Sequence, residues 1–278
     1  MYRFLRFPNW KYKAVTLSYD DGLVYDKQLI NILNKYSLKC TFNLCSELFA
    51  EESGGVFLTK EEATKLYGDS QHEVAVHGAK HLALTTVSDG VATRDIIVDR
   101  ENLETQFDRI IKGMAYAHGL YNDKSVEIVK NCGIKYARTA ESTNNFDLPT
   151  DWYRWTPTCH HNAENLMNLT EDFLSATESG YFWGNSPKVF YLWGHSFEFN
   201  NNSNWEVIEN FAKKVSGRED VWCCTNGELY DYVKAFERLE FSADGKIIQN
   251  HSDIDLYLSY YGKNVLVKSC SITKIDLL

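Results

Sequence analysis

The chain has 278 residues, 44% of them hydrophobic and 24% charged, a make-up that suits one large α/β domain with a small appendage. Its net charge of −9 argues against nucleic acid or an anionic membrane surface as the main partner, and no apolar run is long enough to span a bilayer. Seven cysteines at irregular spacing, with no CxxC pair, offer no cysteine-based zinc or redox centre and read as reduced, mostly buried thiols.

The opening MYRFLRFPNWKYK is positively charged but has no apolar stretch followed by small residues. The expectation is therefore a cytoplasmic chain without a signal peptide. Ala14–Ser18 reads as a buried strand, Asp26–Tyr36 as a helix with Leu29, Ile30 and Leu33 on one face, and Thr41–Leu44 as a second strand. Thr59 caps a helix running through Tyr67, with Glu62 as its capping-box partner. Glu73–Val76 is a third strand. A long helix spans about Thr93 to Ile111, with Ile96, Ile97, Leu103, Phe107, Ile110 and Ile111 at helical spacing. Met114–Tyr116 and Tyr136–Arg138 are strands flanking the helix Lys124–Asn131, which Gly133 terminates. Val189–Trp193 is a strong strand, Trp205–Val215 a helix, Val221–Cys224 a strand and Glu228–Glu237 a helix. Strand–helix alternation of this kind predicts parallel strands with helical crossovers, and at this length a closed or nearly closed barrel. Active residues then belong in the loops after the strands. From about Leu239 the pattern changes to short hairpins, one around Asp244-Gly245 and one around YGKN, so residues 1–238 form the barrel domain and 239–278 a small β appendage.

Three segments carry chemistry. TLSYDDG (Thr16–Gly22) puts two neighbouring carboxylates, Asp20 and Asp21, after a buried strand. Adjacent side chains at a strand end point apart, so one can bind a metal while the other faces a reacting water. The same tripeptide also serves as an ordinary turn. HGAKH (His77–His81) follows the third strand. On a helical turn its two imidazoles would share a face and supply two metal ligands. YLWGHSFEF (Tyr191–Phe199) places His195 after the last strong strand, where a general acid would sit. His72 falls outside this pattern and reads as a surface residue. The adjacent His160 and His161 read as a loop near the pocket rather than as a second metal site. Together, an Asp with two His makes a three-ligand set with open positions for water and substrate, and a spare carboxylate and a spare His supply base and acid.

These motifs, in this order, resemble those of the polysaccharide deacetylase family, the NodB-homology carbohydrate esterases (family 4), over roughly residues 12 to 235. SYDDG stands for the family's TFDDG, HGAKH for its two-histidine motif and Trp193-Gly194-His195 for its late Leu-x-His. The resemblance implies a distorted (β/α) barrel that removes N-acetyl or O-acetyl groups from a carbohydrate. It implies Asp20 as base, His195 as acid, and Asp21, His77 and His81 as ligands of a divalent metal, by default Zn2+, with Co2+, Ni2+ or Fe2+ as alternatives. It also implies an oxyanion contact from the backbone N–H of His118, Trp152 of Asp151-Trp152 as a pocket wall, and Trp193 as the contact to the acetyl methyl. One position departs from the pattern. Ala115 stands where the family carries the arginine that pairs with the catalytic Asp, which leaves Arg138 or Arg154 to substitute. The expected partner is a carbohydrate or a small acylated substrate, with homo-oligomers possible. A metal-dependent hydrolase of small cytosolic amides and a non-catalytic sugar-binding protein on the same scaffold remain as competing readings.

Overall fold

A computed structural model describes residues 3–68, 70–178 and 185–276. The strands are β1 (Arg3–Arg6), β2 (Lys13–Asp20), β3 (Thr41–Leu44), β4 (Glu73–Val76), β5 (Gly113–Ala115), β6 (Tyr136–Arg138), β7 (Cys159–His160), β8 (Lys188–Gly194), β9 (Val221–Cys224), β10 (Glu240–Phe241), β11 (Ile247–Asn250), β12 (Leu256–Tyr260), β13 (Lys263–Val267) and β14 (Ser271–Lys274). The α-helices are α1 (Asp26–Lys35), α2 (Lys60–Tyr67), α3 (Asp89–Phe107), α4 (Asp123–Asn131), α5 (Leu166–Ser175), α6 (Ser196–Asn201), α7 (Glu206–Val215) and α8 (Asn226–Glu237).

The central sheet is parallel throughout and runs in the order β6-β5-β4-β3-β2-β8-β7. All eight residues of β2 are buried, as expected of a strand covered on both faces. β2 is also where the sheet forks: its first half pairs with β9 (Lys13–Thr16) and its last residues pair with β3 (Ser18–Asp20). The open edge of β6 meets the segment leading into β7. Trp155 N–H donates to Ala137 O and Thr139 N–H to Trp155 O, both at 3.0 Å. The same segment then pairs with β8 through Cys159 and His160. A single bridge at Arg138–Trp155 thus curls the sheet into an irregular, nearly closed barrel.

The helices form where the sequence signals lie. Leu29, Ile30 and Leu33 of α1 are buried, and capping boxes start α2 (Thr59, Glu62), α4 (Asn122, Ser125) and α8 (Thr225, Glu228). The chain leaves α4 through Gly133 at φ +79°. Two expectations are corrected. α3 ends at Phe107, because Asp108 turns left-handed, so Ile110 is 73% exposed rather than part of a helical apolar face. α5, unforeseen from the sequence, packs Leu166, Leu169 and Phe173 inward together with a buried Thr170, whose hydroxyl donates to Leu166 O at 2.7 Å.

The C-terminal residues form two three-stranded antiparallel sheets, β1-β12-β13 and β10-β11-β14. Because β1 supplies one edge, the appendage draws on both ends of the chain. Its core, with Leu5, Ile248, Leu256, Leu258 and Tyr260, is continuous with Leu229, Tyr232 and Val233 of α8. Among the described residues no helix is long and apolar enough to cross a membrane.

Candidate active site

The last residue of β2, Asp20, is buried and lies in register opposite Asn43 of β3. Asn43 Nδ2 donates to Asp20 Oδ1 at 2.8 Å and to Ser18 Oγ at 2.7 Å. Arg138, the last residue of β6 and itself 1% exposed, donates through Nη2 to Asp20 Oδ2 in a short ion pair. Its guanidinium also lies 4.3 Å from the ring centroid of Trp193. Burial alone would raise the pKa of Asp20. Arg138, His77, His195 and the Asn43 hydrogen bond outweigh it and hold the carboxyl at about 2. Arg138 therefore supplies the pairing expected at the position of Ala115. Arg154 instead pairs with Asp123 and Asp151 on a partly exposed face.

Asp21 follows with φ +80°, a conformation that costs a non-glycine residue, and its carboxylate converges with that of Asp20 on His77 Nε2, at 3.6 and 3.7 Å. Its N–H donates to Asn43 O at 3.0 Å. His77 stands directly after β4. His77 Nδ1 lies 2.9 Å from Ala115 O, which can only accept, so Nδ1 carries the proton and Nε2 presents its lone pair. Nε2 is buried, has no hydrogen-bond partner among the described residues, and lies 3.6 Å from Asp21 Oδ1. His81 Nε2 is 3.6 Å from the same oxygen. Burial lowers the pKa of both imidazoles and favours the neutral, ligating form. Burial raises that of Asp21, with the Asp20 charge adding to it. One atom from each of Asp21, His77 and His81 lies within 4.8 Å of the other two. This donor set fits a divalent cation.

The HGAKH segment is not a helical turn, as the i, i+4 spacing had suggested. It is a loop in which Gly78 takes φ +85° and His81 φ +55°. Two carboxylates one turn apart on α3 hold it. Asp99 accepts the N–H groups of His77 (3.0 Å) and Ser46 (2.8 Å), and Asp95 accepts that of Lys80 (2.9 Å). A Cβ at Gly78 would stand 2.4 Å from Asp95 Oδ2, so the loop needs glycine there. The exposed His118, after β5, brings its ring 4.4 Å from that of His81.

A second group of imidazoles stands across the site. His195 follows β8, with Nε2 3.9 Å from Asp20 Oδ2 and Nδ1 3.2 Å from Glu198 Oε1. Glu198 Oε2 lies 2.9 Å from His161 Nε2 and 3.2 Å from His160 Nε2, and accepts Asn162 Nδ2 at 3.0 Å. Burial works against the charge on Glu198, but the bonds from His160, His161 and His195 outweigh it and keep the pKa far below the usual carboxylate range. Burial likewise opposes a charge on His195, yet Glu198 and then Asp20 and Asp21 raise its pKa above the usual value. His161 is stacked between Tyr19 and Phe199, and burial lowers it to about 4. Gly194 is required here, since a Cβ would meet His161 Nδ1 at 1.9 Å. His160, His161 and Glu198 are close enough to surround an ion. However, Asn162 N–H donates to His160 Nδ1 at 3.1 Å, which leaves the proton of the neutral ring on Nε2, facing the carboxylate. Neither nitrogen of His161 has a hydrogen-bond partner in good geometry among the described residues, although Nε2 lies close to Glu198. Glu198 is thus a carboxylate ringed by imidazoles and the Asn162 amide.

The structure thus brings together Asp20, Asp21, His77, His81, His118, Trp193 and His195 at the C-terminal ends of the barrel strands. Trp152 is elsewhere. It packs edge-on against Trp155 and Tyr230, with Lys234 near its face, in the core shared with the appendage. His72 is buried rather than on the surface. Its Nδ1 accepts Cys40 N–H at 3.2 Å, and burial holds it at about 4. Sequence reasoning missed Asn43, Asp95, Asp99 and Glu198. Of these, only Glu198 had a local signal, three residues after His195.

Comparison with known proteins bears on the fold and the family. Residues 9–137 match the family model described as polysaccharide deacetylase. A poly-beta-1,6-N-acetyl-D-glucosamine N-deacetylase of Staphylococcus aureus is 24% identical over 153 residues, covering 51% of this chain and 52% of its own. The chain spans about half the length of the curated relatives it matches. Among solved structures, a Mycobacterium smegmatis protein assigned to the polysaccharide deacetylases superposes with a TM-score of 0.61 at 17% identity, over 84% of this chain and 94% of its own. The CE4 domain of a multidomain xylanase from the hindgut metagenome of Trinervitermes trinervoides gives 0.52 at 14% identity, over 80% and 92%. A mutant of a CE4 family pseudoenzyme with restored enzymatic activity gives 0.50 at 15% identity, over 82% and 70%.

Proposed function

We propose that the chain is a polysaccharide deacetylase of the NodB-homology type, whose family model its residues 9–137 match, and that it removes N-acetyl groups from a hexosamine-containing glycan by metal-dependent hydrolysis. The observation that carries this reading is the convergence of Asp21, His77 and His81, with the His77 lone pair aimed inward, between an ionised Asp20 and a His195 that favours its protonated form. A divalent ion held by those three residues, zinc by default and cobalt, nickel or ferrous iron otherwise, would acidify a water and polarise the acetyl carbonyl.

Asp20 accepts the proton that the water gives up. A carboxyl held near 2 is a weak base, so the step depends on a water already made acidic. Arg138 and Asn43 hold Asp20 in place and keep it ionised. The backbone N–H of His118 helps hold the developing oxyanion. Trp193 contacts the acetyl methyl. His195, oriented by Glu198, gives its proton to the departing nitrogen. The C–N bond breaks as the new C–O bond persists, so one amide and one water become acetate and a free amine.

The test is metal content by elemental analysis, paired with acetate release from N-acetylglucosamine oligomers before and after chelation. Near one metal per chain with chelator-sensitive acetate release supports the reading. No metal after addition of zinc or cobalt, and no acetate, overturns it.

A further inference from the structure

At the far end of the barrel lies a cleft of about 460 Å³, lined by Pro8, Asn9, Trp222, Tyr232 and Tyr257 with Glu228, Asp231 and Asp255 at its rim. Trp222 pairs in register with Ala14, six residues before Asp20, so about 20 Å of strand separates it from the reacting centre. Lys39 and Lys112, which pair with Glu228 and Asp231, precede β3 and β5 and so mark the strands' N-terminal ends. Whatever binds here is not the reacting unit.

Three observations describe what would fit. First, the floor is aromatic. Trp222 and Tyr257 are half-exposed, and Tyr232 is fixed beneath them, its hydroxyl donating to Arg6 O at 2.8 Å and accepting Tyr257 N–H at 3.0 Å. Second, each rim carboxylate is paired with a lysine: Glu228 with Lys39, Asp231 with Lys112 at 2.6 Å, and Asp255 with Lys268 at 2.7 Å; Glu228 and Asp255 also accept the N–H groups of Thr225 and Ser269, so Asp231 is the least engaged of the three. A hydroxyl both donates and accepts, so a carboxylate beside an ammonium complements it on both counts, while the balanced charge selects for no net charge in the ligand. Third, the cleft's edge is built under strain. Phe7 and Lys11 exchange two backbone hydrogen bonds (2.8 and 3.2 Å) across a tight loop in which Asn9 and Trp10 both take positive φ, +62° and +57°. The loop has three residues, Pro8, Asn9 and Trp10, and a left-handed φ on a residue as bulky as Trp is a genuine outlier. Trp10 does not itself line the cleft and its Nε1 is buried, but its ring meets Tyr257 edge-on at 4.9 Å and so steadies the aromatic floor.

A pyranose ring has apolar C–H faces for the aromatic floor and hydroxyls for the rim. We propose that this cleft is a second glycan site, which holds an uncharged stretch of the same polymer whose acetyl groups are removed at the other end of the barrel. The polymer's identity rests on the proposed function; the site does not. The test titrates the full chain carrying His77→Ala, which does not turn over, with the N-acetylglucosamine hexamer, following tryptophan fluorescence. Saturable binding is expected, weakened about tenfold by Trp222→Leu and by Asp231→Ala. Should Trp222→Leu fail to fold, Tyr257→Ala and Asp231→Ala decide. In the chain with intact His77, Asp231→Ala should leave acetate release from a short substrate unchanged. Unaltered affinity in the folded variants, or no binding of the hexamer, overturns the proposal. If no acetate is ever released but hexamer binding still depends on Asp231, the deacetylase reading fails and this site stands.

Discussion

Two clusters of carboxylate and imidazole face each other across the mouth of the barrel, and they use the same residue types in opposite ways. Around Asp21, His77 and His81, the outer nitrogen of His77 donates its N–H to a backbone carbonyl and leaves the inner lone pair free. Around Glu198, by contrast, the inward-facing nitrogens of His160, His161 and His195, with the Asn162 amide, surround one carboxylate group. The first arrangement suits a cation. The second suits an anion and raises the pKa of His195. The difference is clearest for His77 and His160, whose far nitrogens touch Ala115 O and Asn162 N–H respectively. Residue identity and spacing alone do not distinguish a ligand histidine from a proton-holding one.

The sharpest way to break this comparison is to delete one imidazole from each side. His77→Ala should lose bound metal and nearly all turnover, a fall in kcat/KM of about 10⁴ or more. His161→Ala should keep its metal, which elemental analysis of the two purified variants would show. Loss of metal from the His161 variant alone would reverse the roles. Next in size, Asp20→Asn should retain metal while kcat falls by about 10² to 10⁴, the range for removing a general base. It also leaves the Arg138 guanidinium buried without its partner, so a loss of about 3 kcal/mol or more in unfolding free energy should accompany it.

The parts of this site that were legible in the sequence are those that are contiguous and follow a strand. DDG, HGAKH and WGHS each sit where β2, β4 and β8 end, so a barrel reading places them on one face before any coordinate is known. Their partners were illegible because tertiary pairing delivers them. Asn43 reaches Asp20 by strand register, whereas Arg138 was named as one of two candidates and is singled out from Arg154 only because the sheet curls until β6 lies across the barrel from β2. Trp152 shows the converse failure, since a tryptophan beside an aspartate reads alike whether it walls a pocket or fills a core. α5 escaped notice because its inward face includes Thr170, a polar residue that satisfies itself on the preceding turn. α3, by contrast, was legible from its apolar spacing, but its Asp95 and Asp99 interrupt that pattern because they hold the HGAKH loop.

A smaller effect sharpens the role of the second cluster. Glu198→Gln keeps the shape but removes the charge that favours the imidazolium of His195. His195 must be protonated to act as acid, and its pKa is raised in the native protein, so activity persists on the alkaline side until that raised pKa is passed. Without the carboxylate the pKa falls, and the alkaline limb of the pH–rate profile should move to lower pH, with kcat down about tenfold and metal content intact. An unmoved limb would mean that Glu198 serves packing only.

The smallest expected effect belongs to an imidazole outside both clusters, and it bears on stability rather than turnover. His72 is held at about 4 by burial, whereas in the unfolded chain it titrates near its ordinary value of 6.5. Between those values the unfolded state binds more protons, so stability is full above 6.5 and falls as the pH drops towards 4, by up to about 3 kcal/mol. His161, also held at about 4, adds to the same slope. His72→Phe removes one of the two contributions. It also strips Cys40 N–H of its acceptor, which costs about 1 to 3 kcal/mol at neutral pH. The variant should therefore melt at a lower temperature than the parent at pH 7.5 and close that gap by pH 4.5, with acetate release unchanged at temperatures where both are folded. Parallel melting curves across that range would show that His72 carries its proton in the folded protein, and that burial at this position does not set its charge.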